Sequence, residues 1–276
     1  MKRVLWAMFV FAAVFAFASS AFAEDAIQLR WRLPQGAKYT YEYSEQTTIT
    51  KITTPKTPDG GDVSVQADGP IVLLCKGDEA DTTTELKVKM SVKGKDTAKE
   101  RKELPVSTTK QLMDATGKIF SSSNSASGNI QIAYDLIFPM PQQSFDANKA
   151  NSRDVQVYVN GAANFNGKAE YAYKGTKVVK GVNCIAYHLS CKLEAAEREV
   201  GEALKFAVSG NIVADYDCLF AVEEGYLVSA DGGATISYSM KKTKGPDVDD
   251  LGRATYKKVS VTQKMKDSLH LKSVDH

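Results

Sequence analysis

Along most of the chain apolar and polar side chains take turns. Ile27, Leu29, Trp31 and Leu33 fall on one side of an extended segment, with Gln28, Arg30 and Arg32 on the other. Pro34-Gln35-Gly36 breaks the pattern, and Tyr39, Tyr41 and Tyr43 restart it. The same period of two runs through Leu86, Val88, Met90 and Val92, and through Ile185, Tyr187, Leu189, Cys191 and Leu193. It returns in Ile212, Ala214, Tyr216, Cys218, Phe220 and Val222, and again in Ala234, Ile236, Tyr238 and Met240. Strands with one wet face predict antiparallel sheets, because parallel strands are covered on both sides. Beyond the first residues, only Glu194–Leu204 has helical composition. Gly201 inside it fits a hairpin connection equally well. The expected fold is all-β.

Two pairs of stretches look like copies. "GAKYTYEY" from Gly36 resembles "GKAEYAYKG" from Gly167, each a glycine leading into Tyr-x-Tyr. "DATGKIFSS" resembles "VEEGYLVSA", with Gly117 and Gly225 each opening a strand. This suggests two related antiparallel modules, each a strongly curved, half-barrel-like sheet. Residues 24–145 would form the first and 146–245 the second, with a basic strand or tail over 246–276. The segments "SSSNSASGN" and "FPMPQQSFDANKANS" between the copies read as loop and linker.

Residues 1–23 have the parts of a secretory leader. Lys2 and Arg3 precede the apolar stretch Val4–Phe17, and Ala21-Phe22-Ala23 supplies small residues for cleavage after Ala23. The expected location is periplasmic or secreted, and the mature chain would not span a membrane. Losing Lys2 and Arg3 takes the formal charge from +2 to 0, which disfavours nucleic-acid binding. From Lys241 onward nine Lys and Arg face five Asp, so the C-terminal part is mildly basic. That composition suits a solvated edge or end, or a site for a partner protein.

Four cysteines in an exported chain suggest disulfides. Cys184 and Cys218 lie on strands either side of Glu194–Leu204, and are the candidate pair. The register that best matches apolar faces puts Leu193 opposite Val208, Leu189 opposite Ile212 and Ile185 opposite Tyr216. Asn183 then faces Cys218, so a bridge needs a one-residue bulge. The alternative is buried reduced thiols. His188, Asp215 and Asp217 share the polar face with Cys184. However, Cys184 and His188 are about 13 Å apart along one strand, too far for a nucleophile and its base. Asp215, Asp217, Glu223 and Glu224 lack the spacing of a calcium loop. The other two histidines, His270 and His276, lie in the C-terminal part. Phosphate-loop, nucleophile-elbow and zinc-protease motifs are absent from the sequence. No catalytic residue, metal or cofactor is expected.

A leader followed by a strand, a glycine turn, a tyrosine strand, a Pro-rich middle and a similar second half resembles a family of exported bacterial β-rich proteins of uncharacterised function. The architecture also resembles the half-barrel of lipoprotein-localisation carriers, a curved antiparallel sheet. That resemblance implies a concave face that holds acyl chains. Trp31, Tyr39, Tyr41, Tyr43, Tyr171, Tyr173, Tyr187 and Tyr238 are the residues that would line it. The same rings also suit plain core packing, with each hydroxyl reaching an edge. The functional expectation is a non-enzymatic binding protein, with an apolar small molecule or lipid as ligand. An envelope structural or protein-interaction module comes second and a hydrolase third.

Overall fold

The computed structural model describes residues 27–276 apart from 56–60, 94–101, 105, 122–129, 142–143, 147, 150, 160–162, 196–197, 201–204 and 246–256. The expected leader therefore lies outside the described residues, as does most of the Pro-rich "TPKTPDGGD".

The strands in chain order are β1 (Lys38–Thr54), β2 (Gly61–Cys75), β3 (Glu79–Lys93), β4 (Lys102–Glu103), β5 (Ser107–Asp114) and β6 (Ile119–Ser121). A short helix, α1 (Ile130–Ile137), follows. Then come β7 (Asn151–Val159), β8 (Ala163–Val179), β9 (Val182–Ala195) and β10 (Arg198–Val200). The last are β11 (Lys205–Ala221), β12 (Tyr226–Lys244) and β13 (Lys258–Asp275). All join one sheet, ordered β6-β5-β3-β2-β1-β13-β12-β11-β9-β8-β7, with β4 and β10 as short additions on β3 and β11. Every pairing is antiparallel. The sheet curls into a half-barrel, as its alternation of apolar and polar positions implies.

The basic C-terminal segment is not a solvated edge. As β13 it sits in the middle of the sheet, paired with β1 on one side and β12 on the other. Its inward residues Val259, Val261, Met265 and Leu269 are buried. Its lysines alternate outward, which is why composition alone reads as a wet tail. The Glu194–Leu204 connection contains the end of β9 and β10, the latter paired with β11 as in a hairpin. The register between β9 and β11 differs from the expected one. Leu193 faces Ile212, Leu189 faces Tyr216 and Ile185 faces Phe220. This is a slip of four residues, which keeps every side chain on its expected face.

Helix α1 is the element that alternation does not reveal. "IQIAYDLI" is apolar almost all round, and Ile130, Ile132, Ala133, Tyr134, Leu136 and Ile137 are all buried. Gln131 and Asp135, one turn apart and bonded to each other, form its single polar stripe, and the rest of the helix is enclosed. It is anchored at its C-terminal end by Arg153 of β7. The Arg153 Nη2 donates to the carbonyls of Asp135 and Leu136, at 2.8 and 3.1 Å. These are last-turn carbonyls that have no partner within the helix.

Strong curvature needs close strand approach, and β12 supplies it with Gly232-Gly233. A Cβ at Gly232 would overlap the Asp215 carbonyl of β11, and one at Gly233 the Met265 carbonyl of β13. Both neighbours can therefore pass closer than a side chain would allow.

Candidate functional site

The half-barrel has one inner face with two unlike ends. At one end the chain fills it. Trp31 stacks flat on Phe138, with ring centroids 5.7 Å apart, and its Nε1 donates to the Phe138 carbonyl at 2.9 Å. Tyr134 of α1 packs edge-on against Phe138 and bonds to Thr84 of β3. Short bridges Ile27–Phe145 and Leu33–Gly77 tie the segments flanking the barrel to this end.

The tyrosine row belongs to that filling. Trp31, Tyr39, Tyr41, Tyr43, Tyr171 and Tyr187 are at most 2% exposed. Their hydroxyls are taken by the protein itself. Tyr39 donates to the Arg32 carbonyl at 2.9 Å, Tyr41 to the Leu227 carbonyl at 3.0 Å, and Tyr171 to the Pro139 carbonyl at 3.0 Å. Tyr187 points its hydroxyl at the Met140 sulfur, 3.8 Å away. Burial pushes the Tyr41 and Tyr187 hydroxyls well above the ordinary tyrosine range. Tyr173 and Tyr238 are only partly buried. Of the set, Tyr238 lies toward the other end.

That other end can be followed row by row across the paired strands. One inward row runs Val92, Val63, Ile49, Gln263, Ile236, Ile212, Leu193 from β3 to β9. From Gln263 onward these residues are at most 3% exposed. Toward β3 the same row opens: Ile49 and Val63 are half-buried, and Val92 is 50% exposed. The next row inward, Met90–Val65–Thr47–Met265, repeats the trend, with Met90 and Val65 half-buried. The result is an apolar corner on β1–β3, with Val88 beside it and Tyr238 and Met240 half-buried on β12.

A polar floor separates corner from filling. Glu45 of β1 stands directly opposite Asp267 of β13, and they are 3% and 2% exposed. Glu45 accepts bonds from the Tyr43 hydroxyl at 3.0 Å and the Thr47 hydroxyl at 2.5 Å. The Tyr216 hydroxyl donates to Asp267 Oδ2 at 2.8 Å, while Asp267 Oδ1 has no partner among the described residues. Burial, opposed by the Tyr216 bond and reinforced by the facing Glu45, pushes the Asp267 carboxyl up to about 7. Sequence reasoning missed this pair. Its signal was a charged residue on the inward register: Glu45 continues Tyr39, Tyr41 and Tyr43, and Asp267 sits between Met265 and Leu269.

The cysteine pairing is corrected by the same register. Cys184 faces Ala221 and Cys218 faces Tyr187, so no bridge joins them, and Cys75 and Cys191 are also free. All four thiols are buried. Burial holds the Cys191 and Cys218 thiols up, to about 11 and about 12, the range of unreactive sulfur. His188 lies on the outer face, its Nδ1 2.9 Å from Asp217 and its Nε2 3.3 Å from Asp215. No group of three metal-ligating side chains occurs among the described residues, and no described helix is long and apolar enough to cross a membrane.

No family model matches the chain, and no curated protein matches it. Among solved structures it is similar to lipovitellin, in a structure describing lipid–protein interactions in that protein. The identity is 11% and the TM-score 0.50, over 88% of this chain and 26% of lipovitellin. The chain thus spans about a quarter of the protein it matches. A Salmonella typhi OmpF complex with daunomycin is covered to 97%, over 83% of this chain, at 9% identity and a TM-score of 0.30. The first likeness shows a shared fold, a curled antiparallel sheet; the second is too slight to build on.

Proposed function

We propose that the protein is an exported, non-enzymatic binding protein that holds an apolar or acylated chain in the open corner of its half-barrel. The observation carrying this reading is the graded exposure of a single inward face. Ile49, Val63, Val65, Val88 and Met90 continue a buried apolar surface but are themselves only half-covered. Apolar walls beside a few polar groups suit a ligand with a long hydrocarbon part. The fold shared with lipovitellin, a protein described through its lipid interactions, supports the same class of ligand. The floor of Glu45 and Asp267 gives the corner an inner limit, because bare hydrocarbon gains nothing by displacing hydrogen-bonded carboxyls.

Native mass spectrometry of Glu24–His276, purified from a periplasm without detergent, tests this. The expected result is extra mass that leaves on organic extraction. A bare polypeptide mass, together with no uptake of a fluorescent fatty-acid probe, would overturn it. A second reading, a protein-interaction module, draws support from the edge strands. β6 and β7 end the sheet unpaired on one side and carry Phe120 and Tyr158, 45% and 49% exposed.

A further inference from the structure

A cavity of about 580 Å³ lies where the two ends of the sheet approach each other across α1. Its walls come from the turn before β6, from α1 and from β7, with Lys168 of β8 at the rim. It is distinct from the open corner, and its chemistry is different, because charged and hydroxyl side chains dominate it.

Arg153 is the fixed point. It is half-buried; its Nε donates to the Tyr171 hydroxyl at 2.6 Å and its Nη2 to the two helix carbonyls. Carbonyls and a phenol cancel none of its charge, and among the described residues Nη1 has no bonded partner. Lys118 enters from the β6 side, its ammonium 5.1 Å from the centre of the Phe120 ring. Two acids share the cavity. Asp154 stands directly opposite Lys168 on the β7–β8 ladder. Asp135 takes a bond from the Gln131 amide at 2.9 Å and lies within reach of both Arg153 and Lys118. Three cations, Arg153, Lys118 and Lys168, against the two carboxyls leave the cavity positive, with the guanidinium set in place by the fold. The Ser152 hydroxyl adds a neutral group at the wall, whereas the Thr116 hydroxyl already donates to Asp114 at 2.6 Å.

We propose that this seam cavity binds a phosphate-class anion, with Arg153 as the preset donor and Lys118 and Lys168 as the charges that draw it in. Guanidinium and ammonium donors together suit a compact oxyanion whose oxygens accept from several directions. Asp135 opposes the anion and sets the strength of binding.

The probe is inorganic phosphate, titrated into the folded chain at constant ionic strength and followed by amide NMR. Saturable shifts at Thr116, Lys118, Ser152 and Arg153 are expected, with chloride giving none. The double substitution Lys118→Gln and Lys168→Gln leaves the helix anchor intact. It should weaken binding by roughly three- to tenfold, the scale for losing two charge-assisted contacts near a surface. Asp135→Asn should strengthen it. Co-sedimentation with phosphatidylcholine vesicles, with and without phosphatidylglycerol, identifies the source. Sedimentation that needs phosphatidylglycerol and both lysines supports a lipid headgroup, and phosphate shifts without sedimentation support a free anion. Absence of saturable shifts, or shifts unchanged by the double substitution, would overturn the proposal.

Discussion

The two ends of the inner face are built from the same strands and the same alternation, yet they differ in what covers them. At the filled end, β1 presents Tyr41 to Trp31 and Phe138 and Tyr39 to Tyr226, and Tyr39, Tyr41 and Tyr43 are all buried. A few residues on, the same strand presents Ile49 beside Val63, which is itself half-open. Inward alternation therefore says that a face is turned from water, and not what shields it. Filling came from a helix outside the strand pattern and from the segment Ile27–Leu33, which alternates but joins none of the sheet's strands.

The sharpest way to break this contrast is to empty the filled end. Trp31→Ala removes the stack on Phe138 and the bond to its carbonyl, and should cost about 3–5 kcal/mol in chemical denaturation. A loss below about 1 kcal/mol would show that the segment from Ile27 to Leu33 is not integral to the core.

The second test uses the floor. An unfolded aspartate titrates near about 4, whereas Asp267 in the folded protein is pushed up to about 7. The folded form holds its proton more tightly. This stabilisation is full below about pH 4, fades as pH rises through 7 and is gone above it. Asp135, pushed up to about 6 mainly by burial, acts with the same sign over a narrower window. Calorimetric midpoints should therefore fall from about pH 4 to about pH 8. Asp267→Asn should flatten most of that fall, leaving the part due to Asp135, and an undiminished slope would show that Asp267 is not its source.

Smaller effects sharpen the comparison further. Tyr41→Phe removes only the hydroxyl bond to the Leu227 carbonyl and should cost about 1 kcal/mol, leaving that carbonyl short of a donor. Val92→Ser, at the half-exposed lip, should change stability by no more than about 0.5 kcal/mol. The same substitution should lower uptake of an apolar probe, measured by fluorescence. Equal uptake would move the ligand away from this corner.

What the sequence made legible follows from what period-two alternation encodes. The class of fold and the inward side of each tyrosine strand were readable, because a side chain's face depends only on its parity along the strand. The register between β9 and β11 was not, since a slip of four residues preserves parity and puts Leu193 against Ile212 as comfortably as against Val208. The disulfide expectation needed a one-residue bulge added to the expected register; the actual register sets Cys218 opposite Tyr187, three residues from Cys184, which such a bulge does not bridge. Helix α1 escaped because it is only about two turns long, so its one polar stripe, Gln131 and Asp135, is too short a run for the helical period to be read. Of the floor, Glu45 and Asp267 were visible as charges on inward positions. Their meeting was not, because β1 and β13 come from opposite ends of the described chain.

That last pairing also governs the order of assembly. Lys38 pairs with Asp275 and Thr54 with Lys258, so β1 finds its second neighbour only after every other described strand has been made. Contacts so distant along the chain form slowly, because the loop must close before the ladder gives anything back. Without β13 the described sheet divides into β6–β1 and β12–β7, with β1 and β12 as bare edges, the kind that pair with the wrong chain. A chain cut short before Lys258 has no way to unite them. For this protein the arrival of β13 is the step that commits two loose sheets to one barrel wall.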